Sequence, residues 1–154
     1  MTYVEPGYGD RDTDVVVRRV VQYIIDSVLS SILPWLSALL FLLLPTRYDG
    51  SVDDPGLTAA VSLSVVVLAI VIYVGYWVVL PAKWNGQTLG MKALGVRVVN
   101  ADGGEADMVQ MFVRWILLIV DGLVAGLVGL VAMLVTDRHQ RLGDMAARTL
   151  VIRA

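Results

Sequence analysis

The sequence predicts an all-α membrane protein: a small helical bundle of two full spans plus a broken or re-entrant third apolar stretch. Three observations carry this. Apolar stretches at about 20–44, 57–80 and 108–135 are each long enough to enter or cross a bilayer. The composition is 57% hydrophobic with a mean hydropathy of +0.73, a membrane composition. Two short alternating segments, 95–100 and 149–153, are expected to pair in a β-hairpin-like unit on the cytoplasmic side. At 154 residues the chain reads as one unit, a flexible tail over 1–14 followed by a membrane domain over 15–154.

The tail carries Pro6, Gly7 and Gly9 among charges of both signs. It lacks a signal-peptide start, and the apolar run behind it is too long for a signal core, so the first span is expected to persist as an anchor. That span opens at Arg19 and contains one charge, Asp26. An ionised group at such depth costs roughly 2.5–3.5 kcal/mol on insertion scales, so Asp26 needs a partner, water or a function. Arg19 and Asp26 share a helical face two turns apart, too far for a direct ion pair. Ser27, Ser30, Ser31 and Ser37 suit close helix packing. Pro34 is expected to kink the span and free a backbone carbonyl.

Residues 45–56 form a turn-rich loop, and the second span, about 57–80, is uncharged. Tyr73, Tyr76 and Trp77 at its end, with Trp84 beyond, read as an interfacial aromatic belt. The polar loop 82–107 follows, with Gly86, Gly90 and Gly95 permitting turns. Its Gly86–Lys92 segment has the wrong spacing for a phosphate loop, which excludes nucleotide binding on that ground.

The third stretch, 108–135, would be about 42 Å long as one helix, against roughly 30 Å of hydrocarbon. Asp121-Gly122 at its centre, with Gly126 and Gly129 beyond, favours a break into two half-helices. Basic residues decide between the two. A single third span with the N-terminus inside leaves six Lys and Arg inside and five outside, whereas a re-entrant pair leaves ten inside and one outside. The second arrangement also puts the loop 82–107 and the tail 136–154 on one side, as strand pairing requires. Both termini are then cytoplasmic.

Arg114 and Asp121 repeat the spacing of Arg19 and Asp26 with apolar filling. If the two segments pack side by side, Arg19 faces Asp121 and Arg114 faces Asp26. The plainer alternative is that each pair only stabilises a helix interface.

Several chemistries are excluded. The absence of cysteine removes disulfides, thiol catalysis and iron–sulfur ligation. A formal charge of −2 offers no surface for nucleic acid. His139 alone builds no metal site and reads as a solvated loop residue. No serine–histidine, cysteine or paired-metal constellation suggests an enzyme, and no cofactor is implied.

Four motifs stand in order: Arg19-x-x-x-Tyr23-x-Ile25-Asp26; Gly86-Gln87-Thr88-Leu89-Gly90-Met91-Lys92 with Gly95-Val-Arg-Val-Val99; Arg114; and Arg141-Leu-Gly-Asp144 with Thr149-Leu-Val-Ile152. In these the chain resembles the RDD family of bacterial and archaeal membrane proteins over most of its length. That family is named for one arginine and two aspartates. Arg19 and Asp26 match the first two, and Asp144 the last, with Asp121 as competitor. Leu89, Met91, Gly143 and Ala147 depart from the residues the family often has there. The resemblance implies a multi-pass protein of the plasma membrane with a suggested transport role, including sodium/proton exchange for some members.

Two functions follow as expectations. In a small cation/proton antiporter, Asp26 and Asp121 would take Na+ or H+, Arg19 and Arg114 would balance charge, and the small chain would oligomerise. In a non-transporting accessory protein, the loop and tail would dock a larger membrane complex and the charges would serve assembly. A polar cavity around the acids favours the first; closed, dry pairs favour the second.

Overall fold

The computed structural model describes residues 13–43, 54–124 and 126–154. The expected tail over 1–14 and loop over 45–56 fall almost wholly outside the described residues. Among those described, the chain is mostly helical with one two-stranded sheet.

Helix α1 spans Val16–Trp35. It begins before the expected position 20 because arginine is a good helix former, so Arg18 and Arg19 continue the helix rather than precede it. Pro34 lies inside it, and beyond Trp35 the chain tightens into a 3-10 helix over Leu36–Leu43. The Ser37 hydroxyl donates to the Pro34 carbonyl at 2.5 Å. Helix α2 spans Pro55–Val74, with Asp54 accepting from the Gly56 and Leu57 amides at 2.8 and 3.2 Å and Pro55 in the first turn. A π turn, Gly75–Val79, leads into the short α3, Leu80–Lys83. Among the described residues, Val16–Leu42 and Pro55–Lys83 are the two helical runs long and apolar enough to cross a membrane, at 27 and 29 residues. No residue of α2 is buried.

The chain divides into two compact units. One is Ser27–Gly75, in which the Ser37 hydroxyl also reaches the Val65 carbonyl at 3.4 Å. The other joins the described residues up to Asp26 with Tyr76–Ala154 and holds every candidate site residue.

In that second unit, α4 (Leu89–Ala93) leads through Gly95 into β1 (Val96–Asn100), and α7 (Leu142–Ala146) leads into β2 (Thr149–Arg153). The strands pair antiparallel, Val96 opposite Arg153 and Asn100 opposite Thr149, as the alternation predicts. Gly95 sits at φ +61, so the strand begins one residue later than expected. Val99, Leu150 and Ile152 form the apolar core here. Gly86, at φ +75, presses so close that a Cβ would stand 2.0 Å from the Val98 carbonyl oxygen.

The third stretch is broken. Helix α5 runs Met108–Asp121 behind an Asp107–Gln110 capping box, and α6 runs Leu127–Val135. They measure about 21 and 14 Å. The short α4 and α7 correct the sequence reading, which treats both segments as loop: five residues are too few for apolar periodicity to register.

Candidate functional site

Asp144, in the first turn of α7, is 1% exposed and sits between two arginines from different helices. Arg19 Nη2 of α1 donates to one carboxylate oxygen and Arg114 Nη1 of α5 to the other. The Arg141 amide adds a hydrogen bond at 3.0 Å. Each arginine has a further acceptor: Arg19 Nη1 reaches the His139 carbonyl and Arg114 Nη1 the Thr149 hydroxyl, both at 2.7 Å. Burial alone would raise the Asp144 pKa, but Arg114, Arg19, Arg141 and the Arg141 amide outweigh it and hold the carboxyl well below the ordinary range.

This overturns the expected pairings. Arg19 does not face Asp121, and Arg114 does not face Asp26; both turn to Asp144. His139, expected in solvent, is half-buried, with Nδ1 at 2.9 Å from the Met133 carbonyl.

Asp26 is 0% exposed and is met by neutral donors. Gln22 Nε2 and Tyr76 Oη donate to it, with Thr88 Oγ1 at 2.5 Å and the Gly90 amide at 2.8 Å. Thr88 caps α4, its hydroxyl also accepting from the Met91 amide at 3.2 Å, so the Asp26 carboxylate rests on the start of that helix. Glycine at position 90 is a steric requirement: a Cβ there would lie 2.7 Å from Asp26 Oδ1. Gly90→Ala is therefore expected to lower stability by about 1–3 kcal/mol through overpacking. A thermal melt of the detergent-solubilised protein checks this, and an unchanged midpoint counts against the contact.

Asp121, 3% exposed, repeats the arrangement on the other half of the chain. Its oxygens accept from the Leu142 and Gly143 amides at 3.1 and 3.2 Å, the free amides opening α7. Thus each acid of the quasi-repeat seats a five-residue helix that feeds a strand, Asp26 for α4–β1 and Asp121 for α7–β2. Gly90 and Gly143 occupy the same place in their helices, and a Cβ at Gly143 would lie 3.1 Å from the Arg114 carbonyl. The changed pairing follows from where the donors stand: amides opening α4 and α7 reach Asp26 and Asp121, while both guanidiniums reach Asp144.

The loop motif serves this geometry. Gln87 Nε2 donates to the Val96 carbonyl at 2.9 Å, and Lys92 Nζ lies 4.2 Å from the Trp84 ring centroid. Tyr76 and Trp77 correct the belt reading, since they are 5% and 8% exposed and Tyr76 binds Asp26, while Tyr73 is 37% exposed. Gln22 and Tyr76 are the site residues that sequence reasoning missed. Gln22 carried a signal: it is a second polar group one turn before Asp26 in an apolar helix.

A cavity of about 220 Å³ lies where α1, α5 and α6 meet. Arg19, Asp121 and Arg141 form its polar end, and Ile24, Leu118, Leu127 and Leu130 are among its apolar walls.

The chain is 35% identical over 83 residues to the uncharacterized protein YckC of Bacillus subtilis (strain 168), covering 49% of this chain and 53% of that one. It therefore spans about half the length of the curated relative it matches. No solved structure matches it. The RDD family model matches residues 14–148, from the opening of α1 to the threshold of β2 and so across all three acid sites, and the chain belongs to the RDD family.

Proposed function

We propose that this chain is a multi-pass protein of the plasma membrane with an accessory, non-transporting and non-enzymatic role, docking a larger membrane complex. The runs Val16–Leu42 and Pro55–Lys83 cross the bilayer. At about 21 and 14 Å, α5 and α6 are each shorter than the roughly 30 Å core, so they enter and leave by the same face. The pairing of β1 with β2 supports that arrangement, as does the ten-to-one distribution of basic residues. Loop and tail then share the cytoplasmic side.

One observation carries the accessory role. Asp26 and Asp144, 0% and 1% exposed, are enclosed by protein donors. An acid that exchanges ions must open to water or to the ion. In these two, protein donors already occupy the carboxylate, so their role is to fasten the two-stranded module to α1 and α5. Vesicles containing the purified protein are expected to show no sodium-dependent proton movement. Asp26→Asn is expected to reduce the yield of folded protein. Sodium-driven proton movement in wild-type vesicles that Asp26→Asn abolishes would falsify the assignment.

Cation/proton exchange is the second reading, and Asp121 is the observation that favours it, because that acid borders a cavity. In that reading Asp121→Asn, rather than Asp26→Asn, stops the flux.

A further inference from the structure

The cavity at the meeting of α1, α5 and α6 carries a charge surplus that its own residues do not cancel. Arg19, Arg141 and Asp121 line its polar end, and the Asp144 carboxylate that meets Arg19 is shared with Arg114 outside the lining. Asp144 is occupied by Arg19 and Arg114, and Asp121 by two backbone amides. Arg141 makes no side-chain hydrogen bond or ion pair among the described residues, and its Nε is buried without a partner. A guanidinium so placed suits a phosphate, which it meets with a planar fork of donors. The rest of the wall is mostly apolar, with Val20, Ile24, Leu118, Leu127 and Leu130 beside Tyr23 and Met133. A cation is disfavoured by the positive surplus, and a free inorganic anion leaves the apolar wall unused. A volume of about 220 Å³ also falls below the roughly 300–1,000 Å³ that encloses a whole drug-sized ligand. The occupant therefore inserts only a head and the start of a chain.

We propose that this cavity binds an anionic phospholipid of the surrounding bilayer, its phosphate on Arg141 and one acyl chain against Ile24, Leu118, Leu127 and Leu130. The proposal rests on the reading of the chain as membrane-embedded. Basic pockets between helices on the cytoplasmic side meet the leaflet richest in anionic lipid, which supplies such a ligand at high local concentration.

The test is native mass spectrometry of the full chain in dodecyl maltoside, titrated with dioleoyl phosphatidylglycerol or dioleoyl phosphatidylcholine. Wild-type protein is expected to retain the phosphatidylglycerol roughly tenfold better. Arg141→Gln keeps the backbone amide that Asp144 uses, so it is expected to fold normally and lose the preference. Leu130→Trp, which fills the apolar end, is expected to weaken both lipids while circular dichroism stays unchanged. Equal retention of the two lipids by the wild type overturns the site, as does undiminished selectivity in Arg141→Gln. Displacement of the lipid by millimolar inorganic phosphate alone also overturns it. A parallel alkaline carbonate wash of cell membranes separates the two ideas. Release of the protein defeats the membrane reading and the bilayer source together, whereas retention without lipid selectivity defeats the cavity alone.

Discussion

Asp144→Ala is expected to be among the most damaging single substitutions in the chain, costing about 3–5 kcal/mol, because it strips a shared partner from two buried guanidiniums. Arg19 and Arg114 are 3% and 7% exposed and, among the described residues, keep the His139 carbonyl and the Thr149 hydroxyl as hydrogen-bond acceptors. Neither acceptor carries a charge to offset theirs. In a chain of this size the loss corresponds to a fall of at least roughly 6 °C in the melting midpoint. A thermal melt in mild detergent, followed by size-exclusion recovery, measures it; a shift of a degree or less refutes the network as a stabilising device. Adding Arg114→Met to Asp144→Ala is expected to return part of the loss by removing one unpaired charge, a non-additivity that a double-mutant cycle reads directly. The same contact sets a pH dependence. The folded Asp144 carboxyl ionises more readily than the unfolded one, whose ordinary value is 3.8. The unfolded chain therefore takes up protons first. The contribution is complete above that ordinary value and is withdrawn as pH falls below it toward the depressed folded value. Wild-type stability is expected to drop in that acid window more steeply than that of Asp144→Asn.

Asp26→Ala is the second large effect. It leaves Gln22 Nε2, Tyr76 Oη, Thr88 Oγ1 and the Gly90 amide around an emptied acceptor site. A buried donor without a partner costs about 1–3 kcal/mol, so two of these left dry amount to roughly 2–6 kcal/mol. Asp26→Asn preserves the shape and one acceptor oxygen and is expected to lose less. The location of the damage separates this account from a general loss of packing. Hydrogen exchange at the Gly90 amide is expected to accelerate in Asp26→Ala while the β1–β2 ladder stays protected, since the aspartate holds the start of α4 and the ladder is held by its own backbone bonds. Equal acceleration at both places is the result that contradicts it.

Both effects show why the charged residues were visible in the sequence while their partners were not. Arg19, Asp26, Arg114 and Asp121 stand out because each interrupts apolar sequence, where an ionisable group is expensive. The repeated spacing singles out Asp26 and Asp121. It says nothing about what meets them, because helical periodicity reports the face a residue occupies and not the neighbour opposite. For Asp121 the neighbours are backbone amides of α7, and for Asp26 the Gly90 amide of α4 joins the side chains of Gln22, Tyr76 and Thr88; α4 and α7 are too short to leave a periodic trace, and backbone amides have no letter in the sequence. Tyr76 was misjudged for a related reason. An aromatic residue at the end of an apolar run has the same composition whether it faces headgroups or turns inward to an aspartate, and here it is 5% exposed.

Hydropathy, glycine placement and strand alternation alone determined the two long apolar helices, the interruption between Met108–Asp121 and Leu127–Val135, and the pairing of Val96–Asn100 with Thr149–Arg153. These depend on local or periodic preferences, which the order of residues states directly. Only the tertiary structure decided that Asp144 takes both arginines and that Asp26 and Asp121 each seat a short helix. Those outcomes come from competition among buried donors for few acceptors, and three-dimensional reach settles that competition.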